Sequence, residues 1–378
     1  MGVICWTNDQ LRAIESRDGT LLVSAAAGSG KTAVLVERLL NRVSKEGINV
    51  DRFLMITYTN AAASELRAKI IDAISQKIAE NPADRHMARQ MTYVHRAQIS
   101  TIHAYCTQVL RTHGHLLGLS DDFKIIDAGE AEILRRQALD DLLEKEYEAA
   151  TPAFLLLCDA LSGERDDRKM AETILTLHNK SRSHPHPEAW LKSCCDAYAI
   201  DDVTGAEQTR WGAEIVSYIH EICQYFIQRL KRMVQELAAD SALEAAYAPA
   251  LLSDIQNLQR LCAVNRWDEL IQSVESMEFM RLSAVRKCDD PQLKEWVKEE
   301  RNDIKKEILK ICERLLCKDS KTVLHELRTL QPVAEELGRI VCALEQCYHE
   351  RKRQRGVLDY GDLEHEAVAL LVDRYDEI

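Results

Sequence analysis

Along the first 110 residues, short apolar runs alternate with longer amphipathic ones. Thr20-Leu21-Leu22-Val23-Ser24 ends at a glycine-rich turn and predicts a buried parallel strand. Lys31 to Val43 follows as a helix with Leu35, Leu39 and Val43 on one stripe. Phe53 to Tyr58 predicts a second strand. Asn60 to Ala79 predicts an Ala-rich helix closed by Asn81-Pro82. Ile99-Ser100-Thr101 is a shorter extended piece that leads into a helix through Leu110. Strand–helix alternation of this kind implies an α/β fold, a parallel sheet with helical crossovers.

The period changes between about residues 120 and 350. Glu130 to Glu148, Trp211 to Ala239, Pro291 to Leu316 and Thr322 to Gln354 read as long, charged, amphipathic helices, with no convincing strand among them. The prolines of Ser181 to Pro187 break the pattern, and so does Asp201 to Gly205. The expected architecture is therefore an α/β domain followed by a large, mostly helical one.

Composition narrows the class. At 378 residues with 29% charged and 46% hydrophobic positions, the chain is long enough for two or three folded domains and is not disordered. Aromatics at 6% and only 14 Gly and 7 Pro argue for helix over an all-β sandwich. No apolar run reaches the length of a membrane span. Met1 to Asp9 lacks a basic and apolar leader, so the expected location is cytoplasmic. The net charge of −12 is unevenly spread. Residues 1–110 hold 13 Lys+Arg against 10 Asp+Glu, a net of +3, and residues 111–378 hold 36 against 51, a net of −15. An acidic total thus leaves room for a local phosphate-binding surface. The 12 cysteines are scattered, with no C-x-x-C. Cys312, Cys317, Cys342, Cys347 and His349 invite a metal reading, but a spacing of five turns two side chains away from each other on a helix, so buried reduced thiols are expected.

The strongest chemical signal is Ala25-Ala26-Ala27-Gly28-Ser29-Gly30-Lys31-Thr32, placed after an expected strand and at the start of a helix. That is the context of a P-loop, in which glycines let backbone N–H groups face phosphate oxygens and a helix N-terminus adds partial positive charge. Lys31 supplies a point charge for the β- and γ-phosphates of a nucleotide, and Thr32 a hydroxyl for Mg²⁺. The general P-loop pattern wants glycine where Ala25 stands. Gln10, 21 residues before Lys31, carries a carboxamide able to pair with adenine; a solvated helix residue is the simpler reading.

Together these residues resemble the UvrD/Rep-like helicases of superfamily one, where a Gln precedes a P-loop with Ala at the first position. Tyr58-Thr59-Asn60 within Thr57 to Ala63, and Thr101-Ile102-His103 within Ser100 to Cys106, resemble that family's DNA-side motifs. Asp359 to His365 resembles the acidic segment before its Walker B strand. The start Trp6-Thr7, the stretch Val23 to Arg38, Ser181 to Pro185 and Leu358 to His365 are closer still to the AddA-type subunits of bacterial helicase–nucleases. The resemblance is dense over residues 1–130 and 355–371 and thin between them.

That resemblance implies a first RecA-like domain from residues 1–118, a helical insertion over 119–355, and a return to the first domain over 356–378 that stops before Walker B. It implies ATP and Mg²⁺ as cofactors, bound by Gln10 and by Ala25 through Thr32. It implies single-stranded DNA at Tyr58, Thr59, Asn60, Thr101 and His103, duplex DNA, and a second subunit of AddB type. The activity implied is ATP-driven unwinding for end processing in recombinational repair, with this chain an N-terminal part that binds without turnover. From the residues alone, the favoured reading of Tyr58 is a core aromatic at a strand end, and that of His103 a structural histidine. Arg351-Lys352-Arg353-Gln354-Arg355 reads as a solvated helix cap or a contact to duplex phosphate. Asp376-Glu377 follows no buried strand and does not read as Walker B. A stand-alone nucleotide and DNA module, or a small-molecule kinase, are the competing classes.

Overall fold

The computed structural model describes residues 6–17, 19–26, 28–161, 167–200, 202–285 and 289–372. Ala27, Asp376 and Glu377 lie outside these. The chain divides into two compact units, Met1–Leu134 with Glu350–Ile378, and Arg135–His349.

The first unit opens with α1 (Asn8–Glu15), α2 (Lys31–Glu46), β1 (Leu54–Thr57), α3 (Asn60–Glu80), α4 (Arg85–Tyr93), β2 (Gln98–Thr101), α5 (Ile102–His113) and β3 (Lys124–Ile125). Then come α6 (Ala128–Ala149), α7 (Pro152–Leu161), α8 (Arg168–Ser181), α9 (Pro187–Asp196), α10 (Arg210–Leu237), α11 (Ser241–Ala263), α12 (Trp267–Glu275), α13 (Pro291–Leu315) and α14 (Ser320–Arg355). The chain returns through β4 (Val357–Leu358) and α15 (Tyr360–Leu371).

β1 and β2 pair in parallel, with Leu54 opposite Gln98 and Thr57 opposite Thr101. One face of the pair is covered: Met55 and Ile99 pack with Leu39, Leu40 and Val43 of α2, Leu66, Ile70 and Ile74 of α3, and Met87 of α4. Arg67 of α3 donates to the carbonyls of Val94 (2.8 Å) and Ile99 (3.1 Å), tying the crossover helix to the start of β2. α4 is held by Gln90, whose Oε1 accepts from Val50 N (3.0 Å) and whose Nε2 donates to Asn49 Oδ1 (3.0 Å). A second small core joins Cys106 and Leu110 of α5 to Phe123, Leu358, Leu363 and Ala367.

Two expectations need correction. Thr20 to Ser24 is not a strand; it is irregular, and Leu22 is 89% exposed. A strand needs a hydrogen-bonding neighbour, and the paired strands among the described residues are β1 with β2 and β3 with β4. The region after residue 120, read as strandless, contains β3, which pairs in parallel with β4 through Lys124–Val357 and Ile125–Leu358. Two residues carry no readable period, and their partner is more than 200 positions away.

The second unit is helical. Phe226, Leu230 and Met233 of α10 pack with Tyr247, Leu251 and Leu258 of α11 and with Ile304 and Ile308 of α13. A buried bidentate pair, Arg301 to Asp254 (2.6 and 3.0 Å), fastens α13 to α11. The Ser181 to Pro187 break falls between α8 and α9, with Pro187 opening α9. Cys312 is buried in this core and Cys317 is exposed. Among the described residues, no helix is long and apolar enough to cross a membrane.

Candidate functional site

Building from the N-terminus, Thr7 caps α1 in a reciprocal capping box: its Oγ1 accepts from Gln10 N (3.3 Å), and Gln10 Oε1 accepts from Thr7 N (2.9 Å). The other end of the same carboxamide reaches the glycine-rich loop, where Gln10 Nε2 donates to Ser29 O at 3.1 Å. Gln10, half-buried, thus joins α1 to the loop.

The loop itself is built for close approach. Gly28 and Gly30 have φ of 78° and 83°, the left-handed region in which a side chain is strained. Gly30 forms the N-cap of α2 without a side-chain cap, so the first-turn N–H groups point outward with no side-chain acceptor upon them. Lys31 is exposed and curls back, Nζ donating to the carbonyls of Ala25 (2.7 Å) and Ala26 (2.8 Å). An ammonium held by carbonyls beside a helix N-terminus is a cation and a set of donors aimed at one place, and a polyphosphate fits that set. α1 secures the base of α2: Ala13, Ile14 and Val34 pack together, and the Arg38 guanidinium donates to Ala13 O.

Thr32 lines a cleft of about 320 Å³ with Leu35, Leu54, Met55, Ile56, Thr57, Ala62, Glu65 and Leu66. Glu65, the carboxylate in that lining, is bonded to Lys69 Nζ at 2.5 Å, which holds it below the usual carboxylate range.

The two strand ends meet at one edge. Because Thr57 lies opposite Thr101 in a parallel pair, the corners Tyr58-Thr59-Asn60 and Ile102-His103 stand side by side. Thr59 caps α3, its Oγ1 accepting from Ala62 N (3.1 Å), and Thr101 caps α5, accepting from Ala104 N (3.3 Å). Each hydroxyl keeps its own proton to donate outward. Asn60 opens α3 and is exposed. Tyr58 is fully exposed, which removes the reading as a core aromatic. His103 Nε2 sits 3.2 Å from Glu364 Oε1, and its ring meets the edge of Tyr360 with centroids 5.0 Å apart.

The sequence places Tyr360 and Glu364 in an acidic motif, but it does not reveal their contacts with His103 or the cluster behind them. Asp359 and Asp362 form a capping box at the start of α15, and both accept from Lys352 Nζ, at 3.3 and 2.5 Å. Lys352 is 1% exposed, so it is neither a solvated cap residue nor a contact to duplex phosphate. The Asp-x-x-Asp spacing was the available signal for the cap, and it read instead as an acidic motif.

A model of the UvrD/REP helicase N-terminal domain matches residues 6–199. The chain is 33% identical to the A subunit of the ATP-dependent helicase/nuclease of Acetivibrio thermocellus, over 98% of this chain and 30% of that protein. It is 35% identical to the protein of the same name from Desulforamulus reducens over 98% of this chain, and 36% to that of Syntrophomonas wolfei over 97%. In each case the chain spans 30% of the relative's length. The chain therefore belongs to the UvrD/Rep helicase family and is homologous to the bacterial AddA-type helicase/nuclease subunits.

Proposed function

We propose that this chain carries the nucleotide site and part of the single-strand DNA track of an ATP-dependent DNA helicase/nuclease subunit. The whole protein would translocate on and unwind DNA, serving double-strand-break end processing and recombinational repair in the cytoplasm beside a second subunit of AddB type. One observation carries the reading: Thr32, at the phosphate end of α2, and Thr57, at the base of the Tyr58 corner, line the same cleft. On this reading a displacement at one reshapes the cleft that the other lines.

In this reading Lys31 would exchange the Ala25 and Ala26 carbonyls for the nucleotide's phosphates, the α2 N-terminus would hold phosphate oxygens, and Thr32 would hold Mg²⁺. Gln10 reads the adenine, and its bond to Ser29 O couples base to loop. ATP, when bound, supplies the free energy of phosphoryl transfer to water. Tyr58 offers a sequence-tolerant stacking face, while Thr59, Asn60, Thr101 and His103 meet the phosphates. Water activation needs a carboxylate free of other duties and a cation for the developing charge. Glu65, the carboxylate lining this cleft, pairs with Lys69 at the surface, and in this reading residues 1–378 bind nucleotide without hydrolysing it above background.

The test is fluorescence anisotropy of a labelled single strand with and without Mg-ATP. Nucleotide should change the affinity, and Lys31→Ala should remove that change while leaving nucleotide-free binding intact. If affinity is indifferent to nucleotide in the unaltered protein, the shared-cleft coupling is wrong.

A further inference from the structure

Away from the site, the first unit carries a charged surface that the helicase reading does not use. Between Arg85 and Ser120 the chain has four Arg and five His and not one Asp or Glu, in a protein with 61 acidic residues. Three of those arginines lie along α4 and the turn that closes it. Val94 N bonds to Gln90 O (2.9 Å), and Arg96 N (2.9 Å) and Ala97 N (3.0 Å) both bond to Tyr93 O, so the chain turns tightly where α4 ends. At 100° per residue, Arg85 and Arg89 fall about 40° apart on α4, and Arg96 lies in the turn that follows. All three are exposed, as are Ala88 and Thr92 between them. The opposite side is buried through Met87, Gln90 and Val94. No ion pair engages any of the three guanidiniums among the described residues, whereas Arg67 on the neighbouring helix is spent on backbone carbonyls.

The stripe has a fixed place. Gln90 clamps α4 to Asn49 and Val50, at the entrance to β1. That is the edge of the sheet opposite Tyr58 and Thr101, so the stripe is not an extension of the single-strand corners.

We infer that Arg85, Arg89 and Arg96 form a second nucleic-acid contact, a set of phosphate clamps for the backbone of duplex DNA. The inference rests on the DNA-translocation reading above. A group of exposed guanidiniums without carboxylates among them suits a row of phosphates, and its affinity comes from counterion release. The exposed positions of the stripe contain no aromatic ring, whereas single-strand sites pair their cations with stacking faces. Duplex is therefore the occupant the residues fit.

The experiment uses the 378-residue chain and anisotropy between 50 and 200 mM salt, with a blunt mixed-sequence duplex and a single strand of equal length. The variant Arg85→Gln, Arg89→Gln, Arg96→Gln should flatten the slope of log affinity against log salt for duplex by ~2.7, at about 0.9 for each phosphate no longer neutralised. Single-strand binding should be unchanged. A control with the same loss of charge elsewhere, Arg232→Gln, Arg260→Gln, Arg266→Gln, should leave the duplex slope as it was. Failure of the unaltered chain to bind duplex, an unchanged slope in the stripe variant, or an equal fall in the control would overturn the inference; an unchanged slope would point to an acidic protein surface instead. Tyr58→Ala separates the two readings. If it leaves single-strand binding intact, the proposed track fails, whatever the duplex slope shows.

Discussion

Lys352→Met should be among the most damaging single substitutions in the first unit. Lys352 Nζ lies 3.3 Å from Asp359 Oδ2 and 2.5 Å from Asp362 Oδ1, and the three side chains are 1%, 8% and 5% exposed. Methionine keeps the volume of the stem and removes the charge. Two carboxylates then share a buried corner without the Lys352 ammonium. Each still accepts a backbone N–H from the capping box, at 2.8 and 2.9 Å, which offsets part of the cost. Breaking a buried ion pair by removing one partner costs about 3–5 kcal/mol, a large share of a stability of roughly 5–15 kcal/mol. The readout is amide hydrogen exchange across residues 357–371. Opening of α15 should become about two to three and a half powers of ten more frequent, at ~1.4 kcal/mol per tenfold. α15 carries Glu364 and Tyr360 against His103, so single-strand binding should weaken in the same variant. Adding Asp359→Asn and Asp362→Asn should restore most of the protection, because carboxamides keep the cap without the charge. An exchange change under about threefold for Lys352→Met would refute a dry, charge-balanced corner.

Three further outcomes follow from particular side chains. His178 is fully buried; its Nε2 donates to Glu345 Oε2 at 2.5 Å and its Nδ1 has no partner, which suits the neutral ring. Burial, with Arg182 and Arg135 nearby, outweighs Glu345 and holds it below the ordinary imidazole range. The unfolded chain therefore takes up the proton first as pH falls through about 6.5, and urea stability should decline below that pH by at most ~1.4 kcal/mol per unit; His178→Gln should remove that increment. Burial pushes the Cys312 thiol up to about 11 and raises Cys223 as well, so a maleimide should label exposed Cys317 in the native protein and leave those two unmodified until denaturant is added. Tyr58→Ala should cost single-strand affinity ~1–3 kcal/mol and leave thermal stability unchanged, since the ring touches no core; a large fall in melting temperature would contradict its exposed placement.

The glycine loop, the helix after it and both capped strand ends were legible because each has a local cause. Positive φ demands glycine at Gly28 and Gly30, and Thr59 and Thr101 are good N-caps that announce α3 and α5. The parallel pairing of β1 and β2 followed from the strand–helix alternation, although their connection carries two helices, α3 and α4. What was not legible depends on distance along the chain. Thr20 to Ser24 has the apolar composition of a strand but no strand pairs with it among the described residues. β3 exists only because β4 comes back to it. Lys352 sits within a run of basic residues that looks solvated, and only the return of Asp359 and Asp362 buries it. Gln10 was visible as a carboxamide near a P-loop, but its bond to Ser29 spans 19 residues and needs the folded loop.

The central claim is that Gly28 to Thr32 cradle the phosphates of a nucleotide, with Lys31 the charge that makes the cradle selective. Titration calorimetry with Mg-ATP on the 378-residue chain tests it most directly, comparing the unaltered protein with Lys31→Ala and Gln10→Ala. Lys31 draws its present partners from two carbonyls, at 2.7 and 2.8 Å, so its removal should abolish detectable Mg-ATP binding without disturbing the fold. Gln10→Ala should retain phosphate affinity and lose the preference for ATP over GTP. Equal Mg-ATP affinity in the Lys31→Ala protein would contradict the account.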